Sequence, residues 1–369
     1  MTVSLLTHSD VRNICTALHI APTKTLGQNF VHDGGTVRKI VAAAGIEPGE
    51  HVLEVGPGLG SLTLGLLAAR ARVTAVEIDP LLATALPATV RGHGGVDLRV
   101  LHADAISVRS VADLERARPI HEDGGDAGNL AYVADGAESG DGTDPAGPAG
   151  ESQPDSVWGP PTKLVANLPY NVAVPLVLNV LENFPTISEL LVMVQTEVAQ
   201  RLCAPPGGRI YGVPSVKVAW YGNATMAGSI SRNVFWPTPH VDSSLVRIRR
   251  HENGGPVGAE GVPRREVFKL VDLAFAQRRK TLRACLKNWA GGADTAEELL
   301  TAAGIAPQRR GETLTVEDFI NLTRCAVERG LTSGGATQLS GDLPSAAGAE
   351  AAAGVESAKA APTAGDIAP

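Results

Sequence analysis

Aromatic residues are scarce in this 369-residue chain, 4% of the total, and its four cysteines stand far apart with no C-x-x-C pair. Cys15, Cys203, Cys285 and Cys325 therefore argue against a disulfide frame or a thiolate metal site, and for reduced thiols in a cytoplasmic protein. No run of about 18 apolar residues is free of Pro or polar breaks, so no membrane-spanning helix is expected. The start, MTVSLLTHSDVRNICTA, lacks the basic head and apolar core of a secretory signal. Residues 331–369 lack aromatics altogether, and residues 119–161 lack Lys and Arg while holding nine acids. Both segments offer too little bulk to offset the entropy of ordering and are expected to be a disordered tail and a disordered acidic insert. They carry the acidity: without them the formal net charge of −7 becomes about +5. An acidic total of this kind does not exclude a nucleic-acid partner, because the field that a polyanion meets is local.

What is present alternates. From Gly35, a helical spacing (GTVRKIVAAAGI) leads into HVLEVG, a short apolar run, then helical SLTLGLLAAR, strand RVTAVEID, helix PLLATALPATV and strand DLRVLHAD. After the insert come strand KLVAN, helix PLVLNVLENF, strand ELLVMVQ and helix EVAQRLCA. Further strands are expected at VPSVKVAWYG and SSLVRIRR, and from about Pro263 the pattern turns helical. The order predicts an α/β fold, a doubly wound, Rossmann-like domain with a parallel sheet covered on both faces, over 35–250, followed by a small all-helical domain over 263–330.

Ligands of such sheets bind beyond the carboxyl ends of the strands. There EVGPGLG places Gly56, Gly58 and Gly60 in a turn between strand and helix, where the backbone can bend sharply and approach a ligand. A dinucleotide fingerprint would put its third Gly at Ser61, so a pyrophosphate is not required. Glu77 ends the next strand, placed to accept from both ribose hydroxyls, and Asp104 ends the one after, placed to accept from an adenine amino group. Gly, Glu and Asp at three strand ends suit an adenosyl ligand.

The fourth strand runs into Asn167-Leu168-Pro169-Tyr170, an odd sequence for a core. S-adenosylmethionine carries an activated methyl, so an enzyme using it chiefly positions a nucleophile. An adenine amino nitrogen is a poor one until acceptors draw its hydrogens and direct its lone pair. Asn167 Oδ1 and a carbonyl at Leu168 or Pro169 would be those acceptors, Pro169 stiffens the turn, and Tyr170 offers a face for the base.

KTLGQNFV (24–31), EVGPGLG, VEID, HADA, NLPYN, FWPTPHVDSSLVRI (235–248) and AFAQRRKTLR (274–283), in this order, resemble the ribosomal RNA adenine dimethyltransferases, and most of all those acting on 16S rRNA. The resemblance covers residues 20 to 325 and implies an S-adenosylmethionine-dependent methyltransferase that dimethylates N6 of two adjacent adenines near the 16S 3′ end, within the 30S subunit or its precursor. It also implies cofactor contacts at Asn29, Val31, Gly56, Glu77, Asp104 and Asn167, a flap formed by residues 1–34, and a base pocket walled by Phe235 and the turn containing Pro237. Three departures stand out: Val31 where Leu is usual, Thr196 where Lys is common, and the insert, which joins two strand ends bordering the pocket and is expected to emerge near the RNA face.

The helical domain is expected to contact RNA through one helix, on which Arg279, Arg283 and Lys287 recur every four residues beside Arg278 and Lys280. No metal site is expected, and a monomer is. The alternatives are a large-subunit rRNA adenine methyltransferase, which would share NLPY, a DNA adenine methyltransferase, disfavoured by Leu168 before Pro169, and a ribosome-assembly factor without catalysis.

Overall fold

The computed structural model describes residues 2–20, 29–120, 158–169 and 172–331. Most of the acidic insert (121–157), the tail from 332 onward, and Tyr170 lie outside the described residues, as does the expectation of disorder attached to the two segments.

The elements are α1 (His8–Ala17), β1 (Phe30–Val31), α2 (Gly34–Ala44), β2 (His51–Val55), α3 (Ser61–Ala68), β3 (Arg72–Glu77), α4 (Pro80–Gly92), β4 (Leu98–His102), α5 (Val111–Leu114) and β5 (Arg118–Pro119). Then follow β6 (Lys163–Asn167), α6 (Ala173–Asn183), β7 (Glu189–Gln195), α7 (Thr196–Leu202), α8 (Val213–Tyr221), β8 (Gly222–Ile230), β9 (Phe235–Trp236) and β10 (Ser243–Arg250). Four helices close the chain: α9 (Arg264–Ala276), α10 (Leu282–Leu286), α11 (Ala293–Ala302) and α12 (Val316–Glu328).

Eight strands form one sheet in the order β5-β4-β3-β2-β6-β7-β10-β8. Strands β4, β3, β2, β6 and β7 are mutually parallel, whereas β10 runs antiparallel between β7 and β8, and β5 antiparallel beside β4. The chain starts at β2, builds outward through β3 and β4, and returns on the other side at β6. That reversal opens a crevice beyond the carboxyl ends of β2 and β6. One apolar cluster, with Leu53, Leu164, Leu176 and Phe184, continues without a break into Leu270, Leu299 and Phe319 of the helical region. The other, on the opposite face, joins Val52, Leu64, Leu86 and Val100 to Leu6, Val11 and Cys15 of the N-terminal segment. Helix α1 is started by a reciprocal cap between Thr7 and Asp10 and buries Val11 and Cys15 four residues apart.

The expectation of a strand at VPSVKVAWYG is overturned. These residues form helix α8, and the strand is the next segment, β8. Pro214 in the first turn and the Ser215 hydroxyl, which accepts from Gly212 N–H, start the helix. It is wedged between sheet and helical region, so Val216, Val218, Trp220 and Tyr221 are all buried and the helical period is erased. The one helix expected to carry Arg279, Arg283 and Lys287 is also broken. After α9 the chain turns, with Lys280 N–H bonded to Gln277 O and Leu282 N–H to Arg309 O, before α10 begins.

The insert is rooted elsewhere than expected. On leaving β5, Ile120 N–H bonds Leu98 O at the start of β4, and on re-entry Thr162 N–H bonds His51 O at the start of β2. Between them the Trp158 ring lies 4.3 Å beneath the Arg99 guanidinium and packs edge-on against His51, whose Nδ1–H donates to Gly159 O. Both attachment points are therefore at the amino edge of the sheet, because β5 turns back antiparallel along β4 and carries the chain away from the crevice.

Candidate active site

A cavity of about 200 Å³ opens at the reversal point and is lined by residues of all four expected strand ends: Gly56 and Gly58, Glu77, Asp104, and Asn167 to Pro169. Asn29 and Val31 close it from β1.

The glycine turn is built as expected. Gly56, Gly58 and Gly60 have φ of +67°, +57° and +92°, values that a side chain would strain. At Gly58 an added Cβ would also lie 3.1 Å from the Phe30 ring, so the turn can sit under β1 only without one. Its N–H is aimed inward: Gly58 N–H donates to Glu77 Oε2 at 3.0 Å, and Asp79 N–H to Oε1 at 3.0 Å. Glu77 is only 5% exposed, and burial pushes its carboxyl above the ordinary range, against the pull of those two N–H donors. A carboxylate offers about four lone-pair sites, so with backbone N–H groups of Gly58, Asp79 and Ile78 acting on it there is still room for a ligand hydroxyl. Asp104 is fixed by Ile106 N–H, which donates to Oδ1 at 2.9 Å, and by its own carbonyl, which accepts from Ser107 Oγ.

Asn167 ends β6 with its amide oriented: Nδ2 donates to Asn29 O at 3.3 Å. Leu168 N–H donates to Met193 O and Pro169 O accepts from Val172 N–H, whereas the Leu168 carbonyl meets no donor among the described residues. Val31 is held through its carbonyl, which accepts from Ser61 Oγ.

Phe235 and Pro237 do not line this cavity. Pairing of β9 with β1 turns the Phe235 ring into the core, 1% exposed, where it supports the strand that covers the site. Thr196, without the charge of the common Lys, instead ties the end of β7 to the loop after β9: its N–H and hydroxyl both reach Asp242 O, and the hydroxyl also meets Ser244 Oγ.

The five basic residues do not form one stripe. Arg278 folds back, bonding Arg209 O and Tyr211 O and pairing with Glu312. Arg283 pairs with Asp294 and Glu297. Arg279, Lys280 and Lys287 are exposed and in no ion pair among the described residues, as are Arg209 and Arg310. Sequence spacing gave no sign of those last two, which come from loops that the backbone bonds of the turn bring alongside.

Among the described residues no cluster of three or more His, Cys, Asp or Glu could hold a metal, and no helix is long and apolar enough to cross a membrane. The ribosomal RNA adenine dimethylase family matches residues 22–327. A protein of Kineococcus radiotolerans named ribosomal RNA small subunit methyltransferase A is 50% identical over 321 residues, 86% of this chain and 91% of the relative. A protein of the same name from Mycobacterium avium is 44% identical over 333 residues, 89% of this chain and 91% of the relative. Among solved structures, a dimethyladenosine transferase from Plasmodium falciparum shares the fold at a TM-score of 0.59 and 22% identity, over 82% of this chain and 98% of the other. The 23S rRNA methyltransferase ErmE aligns at a TM-score of 0.51 and 25% identity, over 80% and 99%. With the strand-end residues gathered around one cavity and the match running through both the sheet and the helices, this chain belongs to the ribosomal RNA adenine dimethylase family.

Proposed function

We propose that the chain transfers methyl groups from S-adenosylmethionine to the N6 amino groups of two adjacent adenosines in the 3′-terminal hairpin of 16S rRNA, in the cytoplasm and within the 30S subunit or its precursor. The observation that carries the reading is the gathering of Gly56, Glu77, Asp104 and Asn167 around one cavity. This donor and acceptor set fits the cofactor: a buried carboxylate for the ribose, a second carboxylate for the adenine amino group, and an open glycine turn between them. When bound, the cofactor supplies a methyl group on a sulfonium centre.

The chain's own part is to hold the acceptor amine. Because Asn167 Nδ2 is committed to Asn29 O, its Oδ1 is the end left to accept one N6 hydrogen, and the Leu168 carbonyl takes the other. Two acceptors at fixed positions direct the nitrogen lone pair, and an amide does this without taking a proton, which leaves to water after transfer. Tyr170 gives the base a face to stack on. Phe235 and Pro237 contribute by bracing β1 over the site, and residues 1–34 act as its cover. The helical region, 263–330, meets rRNA through Arg279, Lys280 and Lys287, with Arg278 and Arg283 fixing its shape. A monomer suffices, since every residue named comes from one chain.

Labelled S-adenosylmethionine incubated with 30S and, separately, 50S subunits from a strain lacking the modification, followed by digestion, should give N6,N6-dimethyladenosine from the 30S subunits. Label found only on large-subunit adenosine, or none at all, would overturn the reading.

A further inference from the structure

Helix α6 begins shortly after Pro169 and buries Ala173, Leu176, Val177, Val180 and Leu181. Beside that face stands Asn179, half-buried, where a Leu would serve both core and helix better, since Asn is a poor helix former. Its amide reaches outside the helix. Nδ2 donates to Ala105 O at 3.1 Å and to Val108 O at 3.0 Å, both in the loop after β4. One turn further on, Asn183 Nδ2 donates to Asn179 Oδ1 at 2.9 Å and to Asn179 O at 3.0 Å. The amide oxygen of Asn179 is thereby engaged, and both its N–H bonds are turned toward the loop.

That loop carries Asp104. Residues Asp104 to Ser107 form a tight turn, closed by Ser107 N–H on Asp104 O at 2.9 Å, and Asp104, Ala105 and Ile106 line the cavity. Bonds within the turn, from Ile106 N–H and Ser107 Oγ, fix its shape. Its placement needs anchors from elsewhere. Ala103 N–H, bonded to Glu77 O, anchors the entry, and Asn179 anchors the middle and the exit. A carboxylate accepts well from an amino group only over a window of about half an ångström, so a small drift of the turn would lose that contact without opening the cavity.

We infer that Asn179 is a positioning residue for cofactor recognition: by holding the turn of Asp104 against α6 it aims the carboxylate at the adenine amino group and sets the preference for adenine, an inference that rests on the cofactor reading above. Without Asn179 the carbonyls of Ala105 and Val108 lose their donor, and the turn is free to move. The ribose, held at Glu77 on another strand, would not sense the change.

The test is calorimetry of the full chain with two ligands. S-adenosylhomocysteine carries the adenine amino group; S-inosylhomocysteine has a carbonyl in its place and gives Asp104 no hydrogen there. The native chain should bind the first about thirtyfold more tightly. Asn179→Leu should weaken S-adenosylhomocysteine by about tenfold and change S-inosylhomocysteine by less than about twofold. Asn183→Leu, which keeps Asn179 but frees its amide to rotate, should weaken S-adenosylhomocysteine alone by about threefold. A residue that merely props the fold would weaken both ligands alike. Equal losses would therefore overturn the inference, as would an Asn179→Leu affinity for S-adenosylhomocysteine within about twofold of the native one, or a native chain that does not distinguish the ligands. If Asn179→Leu does not fold, Asn183→Leu decides by the same ratio. Failure of the native chain to bind S-adenosylhomocysteine would instead refute the cofactor reading.

Discussion

The carboxyl edge of the sheet and the basic segment after α9 were both read from residue spacing, yet the fold treats them differently. Gly56, Glu77, Asp104 and Asn167 end up around one cavity, and the three side chains are each tied to a backbone group, Glu77 to Gly58 and Asp79, Asp104 to Ile106 and Asn167 to Asn29. Arg278, Arg279 and Arg283, within six residues of one another, go to three fates: a brace on the loop before α8, an exposed cation in no ion pair among the described residues, and a surface ion pair. A strand end constrains geometry from within the sequence, whereas a cation is defined by whichever carboxylate or carbonyl the tertiary fold brings to it.

The comparison breaks first at Asn167. Replacing it by Ala should lower the methyl-transfer rate by about a hundredfold or more, the scale seen when a preorganised hydrogen-bonding group is lost from a site, while rRNA binding stays intact. Equal losses in rate and rRNA affinity would mean that the residue supports the surface rather than the chemistry. Next, Glu77→Ala should weaken S-adenosylhomocysteine by about 2–3 kcal/mol, because two backbone N–H donors lose their acceptor along with the ligand hydroxyls. Smaller again, Arg279→Glu with Lys280→Glu should reduce 30S affinity and flatten its dependence on salt by about one unit of slope per lost phosphate contact. Arg278→Ala should instead lower the melting temperature with little change of slope, since that side chain serves the loop at Arg209 and Tyr211. If the two swap effects, the division between free and committed cations is wrong. Least of all, joining residue 120 to 158 through a short linker should leave 30S affinity at low salt unchanged. A rise of more than about tenfold would make the acidic insert a regulator despite its attachment at the amino edge of the sheet.

Much of the fold was legible because apolar runs ended sharply on polar residues: β6, β7 and β10 begin and end where KLVAN, ELLVMVQ and SSLVRIRR do. Helix α8 was not, because burial on most of its circumference removed the period that separates helix from strand. Strand β8, GNATMAGSI, carries few β-branched residues and takes its place through pairing with β10. At the site, the ligand-facing strand ends were legible from residue type. Glu54, which lines the same cavity at 1% exposure, was not, since a carboxyl in an alternating strand reads as a solvent-facing position until α3, with Thr63 donating to it, is seen to cover it. Phe235 was assigned to the wall of a base pocket by resemblance, whereas its 1% exposure and the two-residue ladder of β1 with β9, which seat it under the strand beside the cofactor cavity, are visible only in the fold.

The Trp158 anchor between Arg99 and His51 has a practical corollary. Because the chain departs and returns on the side of the sheet remote from the crevice, that junction can serve as a graft point. A fluorescent or affinity module spliced there would let the enzyme be tracked on rRNA, with the crevice left uncovered.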